Sequence, residues 1–395
     1  MSKKKRWHPS HETDELVFAV CDRFLAQLDA QYNPHSANSH GGRKGAAAAT
    51  ADWVRDKWGR ADLTREKIYP LFWEAARRRF LVLQPPRELH LAQRIADTFG
   101  VGRAQGDDRT VRVVGAHGSD ALQHVSTAGA ELVLSLVEEI GRRRQPVHIG
   151  LGGGYSAMLV ARHLAYRIRS DPDCPSLVLH AMSAGGFQAD KPQRSPIGYF
   201  NYFDDALTKV EFVALFSHTI ASNEDYERIQ SSPDVRTAFA RADEIDIVIT
   251  SFSSAQDEHG MLRQFFEHLV TAGALPPDTI RQMLEVGWIG EVQFRPYSAH
   301  DPLLDECPVR AVTLFEISDL VRLAQTEDKH VVLLARPCAV CGALKTDALR
   351  PLLTSPELRV WTHLVLDVDT ASSLLRSPAA VDVPTAAEQS KVGAI

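Results

Sequence analysis

The sequence is poor in cysteine: five in 395 residues, Cys21, Cys174, Cys307, Cys338 and Cys341. An odd, scattered set in a chain with ample apolar content argues against a disulfide framework, and the thiols are read as reduced. Apolar runs fall short of the roughly 18 residues a membrane-crossing helix needs, and the basic start at 1–7 lacks the apolar stretch of a secretory signal. A cytoplasmic location is expected. Several catalytic and nucleotide signatures are also missing. There is no H-E-x-x-H to set two histidines on one helix face, no G-x-S-x-G nucleophile elbow and no Gly-Lys-Ser/Thr phosphate loop. Sixteen histidines are present, but their spacing assigns them no role.

What is present is the make-up of a globular protein of two or three domains, 44% hydrophobic and 24% charged. The net charge of -6 hides an asymmetry. Residues 1–86 hold 15 Lys and Arg against 10 Asp and Glu, whereas the remainder holds 29 against 40. Phosphate attraction needs local positive charge rather than an overall basic balance, so a basic head on an acidic body suits nucleic-acid binding by the head.

Apolar spacing predicts helices at 12–30, 46–58 (closed by Gly59 as C-cap), from Thr64 to the cluster Arg77, Arg78, Arg79, and at 89–99, the last read as a link between head and body. Residues 31–45 are expected to form a mobile loop, and 80–83 a short strand before Pro85 and Pro86. From 110 onward, continuous apolar runs alternate with helical periods: 111–114, 147–149, 177–179, 212–216, 245–249, 331–335 and 364–366. Such runs are strands of a mostly parallel, doubly wound sheet covered on both faces, an α/β body spanning 87–378 with a flexible tail at 379–395. In such sheets ligands bind beyond the carboxyl ends of the strands.

Three strand-end loops there are candidates. Gly150-Leu151-Gly152-Gly153-Gly154-Tyr155-Ser156 runs from a buried strand into a helix, and glycines with a helix N-terminus can cradle a phosphate. It is not the dinucleotide fingerprint, since Tyr155 stands where the last glycine belongs. Ser183-Ala184-Gly185-Gly186 and Ser251-Phe252-Ser253-Ser254 offer hydroxyls and bare backbone to a polyhydroxylated ligand. Cys338-Ala339-Val340-Cys341 lacks a second ligand pair in the sequence, with Cys307, His330 or His363 the only groups considered to approach it. No metal, cofactor or catalytic residue is assigned.

These elements in this order resemble the SorC (sorbitol-operon) class of bacterial transcriptional regulators. The resemblance spans nearly the whole chain. The glycine loop stands where that family has Ile-Gly-x-Gly-x-Gly-x-Thr, with Ser156 for the threonine. Ser231-Ser232-Pro233-Asp234-Val235 and Ala242-Asp243-Glu244-Ile245-Asp246 match its helix pair and next strand. Gly290-Glu291-Val292 through Arg295, Lys345, and the segment from Asp367 to Leu375 follow in register. In the head, Leu63-Thr64-Arg65-Glu66-Lys67-Ile68-Tyr69-Pro70-Leu71-Phe72-Trp73-Glu74-Ala75 aligns with the family's recognition helix, with Pro70 for an arginine and Arg60-Ala61-Asp62 lengthening the preceding turn. A proline there should kink the helix.

The resemblance implies a small all-α head of the winged helix-turn-helix type on a sugar-phosphate isomerase/deaminase-like effector domain. It implies a homo-dimer or homo-tetramer that controls transcription in response to a sugar or sugar phosphate. It places the effector on Gly152, Gly153, Gly154, Ser156, Gly185, Gly186, Ser253, Ser254, Glu291 and Lys345, and double-stranded DNA on Thr64, Arg65, Lys67, Arg77 and Arg78. Two other functions fit the same residues: a ligand sensor without DNA binding, and an isomerase- or deaminase-like enzyme using Glu291 or Asp257 as base.

Overall fold

The computed structural model describes residues 7–32, 45–78, 80–81, 86–102, 107–169, 171, 173–185 and 192–376. The stretches expected to be a mobile loop and a tail fall mainly outside them, as do Arg79 and Gly186. The chain divides into two compact units, Met1–Gln84 and Pro85–Ile395.

The first unit packs three helices, α1 (Asp14–Tyr32), α2 (Ala46–Trp58) and α3 (Arg65–Arg77). Their apolar stripes close on a core that includes Val17, Val20, Val54, Leu63, Ile68 and Leu71. Gly59 ends α2 in the left-handed conformation, its N–H donating to the Arg55 carbonyl, and the turn that follows leads into α3. The lengthened turn is fastened rather than loose: Arg60 forks onto the Glu12 carboxylate at 2.7 and 2.8 Å and also meets Asp62. Helix α3 runs through Pro70 without a break. The proline is its sixth residue, so the one hydrogen bond removed would have gone to the Glu66 carbonyl near the helix start, and later turns carry the helix on. Phe80 and Leu81, expected to open a strand, form a bend.

The second unit contains α4 (Leu89–Phe99), β1 (Thr110–Val114), α5 (Ala121–Gly141), β2 (Val147–Leu151), α6 (Tyr155–Ile168), β3 (Leu177–Ala181), α7 (Pro196–Phe200), β4 (Val210–Val213) and β5 (Ile220–Ala221). There follow α8 (Asn223–Ser231), α9 (Pro233–Ala240), β6 (Ile247–Ser254), α10 (Met261–Thr271), α11 (Thr279–Glu285), β7 (Gly290–Val292), β8 (Arg295–Tyr297) and β9 (Arg310–Ala311). The chain then continues through α12 (Ile317–Ala324), β10 (His330–Ala335), α13 (Thr346–Thr354), β11 (His363–Asp367) and α14 (Val368–Arg376). The expected link helix, α4, is part of this unit: Ile95 is fully buried in its core, because the helix's apolar face needs the sheet beneath it.

The sheet order is β1-β11-β10-β6-β2-β3-β4, parallel throughout, with β7 and β8 added antiparallel at the end of β6. Strands β2, β3 and β11 are buried along their whole length, which continuous apolar runs require when helices cover both faces. Two expected strands moved. The run at 212–216 is strand only to Val213, and Phe216 is exposed, since β4 is an edge with one face uncovered. The run at 245–249 begins at Ile247 and continues through Thr250 to Ser254, because β7 supplies those hydroxyl-bearing residues with antiparallel partners. The chain winds from β2 through β3 to β4 on one side and places β6 on the other, so the order reverses between β2 and β6. That reversal opens a crevice at the carboxyl ends of these strands. Among the described residues no helix is long and apolar enough to cross a membrane.

At the opposite edge Asp246 is fully buried, accepting the His148 N–H at 3.0 Å, Arg144 at 2.7 Å and Lys329 at 3.2 Å. Asp246→Ala leaves the His148 amide without its acceptor and Arg144 without its carboxylate, while Lys329 keeps the Asp243 and Ile245 carbonyls, and the urea midpoint should fall by the equivalent of about 2 kcal/mol, the scale of a buried donor left unsatisfied. A change below 0.5 kcal/mol would show that water replaces the carboxylate.

Candidate functional site

The crevice is a cleft of about 100 Å³. Its lining comes from the loop after β2 (Gly153, Gly154, Tyr155, Ser156), from β6 and the loop beyond it (Thr250, Ser251, Phe252, Ser253, Asp257, His259, Met261), and from β7 and the turn after it (Glu291, Gln293, Phe294). The segment after β10 (Arg336, Cys338, Ala339, Val340, Lys345) and Arg194 complete it.

At the glycine turn, Gly154 has φ +107°, a conformation closed to other residues, and begins α6. Its N–H donates to the Arg194 carbonyl and its carbonyl accepts the buried Tyr199 hydroxyl, so Gly154 shapes the turn. The N–H groups of the first turn of α6 have no intrahelical acceptor, and Tyr155 and Ser156 of that turn line the cleft. Arg336, a half-buried guanidinium, donates to that hydroxyl from Nε at 3.1 Å, and Arg194 stands over the Tyr155 ring at 5.0 Å. Gly153 lies at the mouth. A side chain there would meet the Phe294 ring at 3.1 Å and the Ser183 hydroxyl at 3.2 Å.

Three of the expected effector contacts need correction. Gly152 is buried beneath Gln293: a Cβ on it would lie 2.2 Å from the Gln293 Nε2, and its N–H is spent on the Ile249 carbonyl. Ser254 alternates to the far side of β6, where its hydroxyl accepts the Gln256 N–H. Gly185 packs against Thr219 and does not line the cleft, while Gly186 lies outside the described residues. Gly153, Gly154, Ser156, Ser253, Glu291 and Lys345 do line it. Lys345, the N-cap residue of α13, reaches Asp257 at 3.0 Å, so its charge is already balanced. That bond, despite burial, holds the Asp257 carboxyl below its usual range.

Glu291 is opposite Ser253 in the β6–β7 ladder and fully enclosed; Oε1 accepts the Leu262 N–H at 3.0 Å. Burial pushes its carboxyl up to about 7, against the pull of the Leu262 N–H and the Lys345 charge. At neutral pH a large fraction is therefore protonated and able to donate a hydrogen bond.

Sequence reasoning missed Arg336, Arg194, Gln293 and Phe294. The last two form the two-residue turn between β7 and β8, with φ +51° and +62°, positions usually held by glycine or asparagine. Such turns cost on the order of 1–3 kcal/mol per residue and persist where the surroundings enforce them. Arg295 anchors the hairpin from beneath through Glu316 at 2.7 Å and the Ala311 carbonyl at 2.8 Å. Gln293 donates from Nε2 to the Thr250 hydroxyl at 2.7 Å, while its Oε1 is buried without a partner among the described residues, an acceptor suited to a ligand hydroxyl. Two consecutive non-glycine residues with positive φ leave no sequence signal. The groups expected beside Cys338 and Cys341 do not arrive: the Cys307 thiol donates to the Val309 carbonyl, and His330 meets the His363 ring edge to face. Asp257 and His259 come there instead.

In the head, the expected DNA contacts are largely engaged with protein. Thr64 donates to Glu66, Lys67 lies over the Trp7 ring at 4.6 Å, and Arg77 forks onto the buried Glu74. Arg78 ties Glu74 to Asp14 and to backbone carbonyls at the start of the unit. Arg65 is exposed, with no ion pair among the described residues. Seven of the 15 basic residues counted in the head lie outside the described residues.

No protein-family model matches the sequence, and neither does any curated protein. Solved structures do share the fold. The full-length sorbitol operon regulator SorC of Klebsiella pneumoniae is 15% identical and superposes with a TM-score of 0.57, covering 92% of this chain and 100% of that one. A probable sor operon regulator from Shigella flexneri (16% identity, TM-score 0.52) covers 73% of this chain and 99% of its own length. The sugar-binding domain of a transcriptional repressor from Vibrio fischeri (13%, 0.52) covers 73% and 98%. Identities this low establish a common fold, an α/β body preceded by a helical unit.

In the unfolded chain Glu291 titrates near 4.5, so between about pH 4.5 and 7 the folded state holds a proton that the unfolded state has released. Stability therefore falls as pH rises through that window, by at most about 3 kcal/mol. Glu291→Gln should flatten this part of the urea-midpoint profile relative to the unmodified protein. Parallel profiles would mean that water solvates the carboxylate.

Proposed function

We propose that the protein is a regulator that senses a sugar phosphate or a related anionic polyol in the cleft at the β2/β6 crossing. The observation that carries this reading is the pairing of Arg336 with Ser156 at the open first turn of α6. N–H groups with no intrahelical acceptor, a helix dipole, a hydroxyl and a guanidinium come together on the lining of the cleft, a setting suited to a phosphate. The Gln293 acceptor, without a partner among the described residues, and the protonated fraction of Glu291 then suit hydroxyls farther in. The likeness in fold to sugar-responsive regulators supports the same reading, including a homo-oligomer whose heads meet palindromic DNA. No reaction is assigned, since Asp257 is engaged with Lys345.

A second output is favoured by one observation. The outward surface of α3 presents Tyr69, 46% exposed, and Trp73, 68% exposed, where a recognition helix on DNA would show polar and basic groups. The head then docks on another protein, with ligand sensing unchanged.

A thermal-shift series with phosphorylated sugars and their unphosphorylated counterparts tests the sensor. A ligand at 100-fold over its Kd adds about 2.7 kcal/mol, a rise of roughly 5 °C, and Arg336→Gln should weaken that ligand at least tenfold. If no sugar phosphate moves the transition, the sensor reading fails. Mobility shift on the protein's own upstream DNA across a salt series decides the output: a retarded band that weakens with salt supports DNA, and its absence favours the protein partner.

A further inference from the structure

We propose that Asp257, His259, Cys338 and Cys341 form a zinc site on the wall of the cleft. The topology brings the ligands together from segments 79 residues or more apart in sequence. Strands β6 and β10 are parallel neighbours, in register from Ile247 beside His330 to Ser251 beside Leu334, so the chain leaves both at one edge. Asp257 and His259 follow the first strand, Cys338 and Cys341 the second. Their ligand atoms all lie within 4.8 Å of one another. Zinc with bonds of 2.0–2.3 Å sets its tetrahedral ligands about 3.3–3.8 Å apart, so small side-chain rotations close the site.

The local geometry is already that of a binding loop. Asp257 Oδ1 and His259 Nδ1 stand 3.4 Å apart, the edge expected for two ligands on one zinc. His259 Nδ1 is buried and has no hydrogen-bond partner among the described residues. On the other side, burial holds the Cys338 thiol above its ordinary range, and the Val340 and Cys341 N–H groups that donate to its sulfur offset only part of that, so the metal's own charge would supply the rest. Gly342, at φ +72°, donates to the Cys338 carbonyl, and the Cys338 N–H donates to the Ala343 carbonyl, so the Cys-x-x-Cys turn is closed on itself.

Charge and donor type select the ion. Two thiolates, a carboxylate and a neutral imidazole carry three negative charges, and Zn²⁺ with the Lys345 ammonium 3.0 Å from Asp257 Oδ2 brings the group to neutrality. Thiolate and imidazole donors favour zinc over magnesium or calcium. Asp257 would give Oδ1 to the metal and keep Oδ2 on Lys345, fixing that ammonium at the cleft. This assignment is independent of which molecule the cleft binds.

The full-length protein, purified under reducing conditions, should carry about one zinc per chain by elemental analysis. After chelation, cobalt(II) should restore a thiolate-to-metal band in the near ultraviolet together with tetrahedral visible bands. Cys338→Ser with Cys341→Ser should abolish uptake, His259→Gln should lower zinc affinity at least tenfold, and Cys307→Ser should change neither. Should the double variant fail to fold, the His259→Gln titration and the cobalt spectrum of the unmodified chain decide alone. Absence of uptake by the reduced, folded protein, or zinc retained in full by a folded double variant, overturns the site. So does a Cys338–Cys341 disulfide that, once reduced, takes up neither metal.

Discussion

Strand β6 is three residues longer than β2 beside it, and the geometry of the cleft follows from that difference. Its first five residues are held in parallel register by β10; its last three have no parallel neighbour left and pair antiparallel with β7. A strand that changes partners in this way carries a hairpin past the edge of the sheet. The β7–β8 turn consequently lies across the glycine loop, where in a shorter strand the crevice would stand open to water. The same overhang sends residues 255–260 toward the segment after β10, which is why Asp257 meets both Lys345 and the cysteine turn.

The enclosing hairpin imposes an electrostatic balance. Arg194, Arg336 and Lys345 face Asp257 and Glu291 in one lining. With both acids ionised the excess of positive charge would be a single unit, and the low-dielectric wall behind Glu291 resists its ionisation. Keeping that carboxyl protonated raises the attraction for an anion without adding a cation, and turns an acceptor into a donor. The strained Gln293 and Phe294 backbone belongs to the same design: a turn held against its preference by the Arg295–Glu316 pair places one amide side chain over Gly152 and one ring against Gly153.

The parallel sheet was legible in the sequence because burial on both faces demands unbroken apolar runs, and the glycine loop was legible because backbone there must approach α6 closely. What escaped were consequences of pairing. Residues 250–254 look like a polar loop by composition, but hydroxyl side chains extend a strand when a partner is supplied, and β7 lies 36 residues beyond the end of β6. Gly152 was read with Gly153 and Gly154 as one cradle, although in an extended turn neighbouring residues face opposite ways and only one of the first two can meet a ligand. Arg336 is a lone arginine after a strand, which no spacing distinguishes from a surface charge, and Asp257 with His259 form a ligand pair only when a second loop is brought beside them. Spacing along one chain segment cannot show a four-ligand set divided between two strand ends.

The head makes the same point about charge. Its excess of basic residues is a property of the count, not of the described surface. The head has eight basic and nine acidic side chains among the described residues, and Arg60, Arg77 and Arg78 are bound to Glu12, Glu74 and Asp14. Arg60 ties the turn before α3 to the segment before α1, Arg78 ties the end of α3 to α1, and Arg77 closes on Glu74 within α3, so the guanidinium groups nearest the end of α3 serve the unit's own fold. Affinity for a polyanion grows with the number of phosphates neutralised. Among the described residues, Arg65 and Lys57 are the exposed basic groups outside ion pairs that could meet a polyanion, and the sequence adds basic residues at 3–6, 43–44 and 79. The packed part of α3 contributes an aromatic surface, Tyr69 and Trp73, whose binding would scale with apolar area and change little with salt.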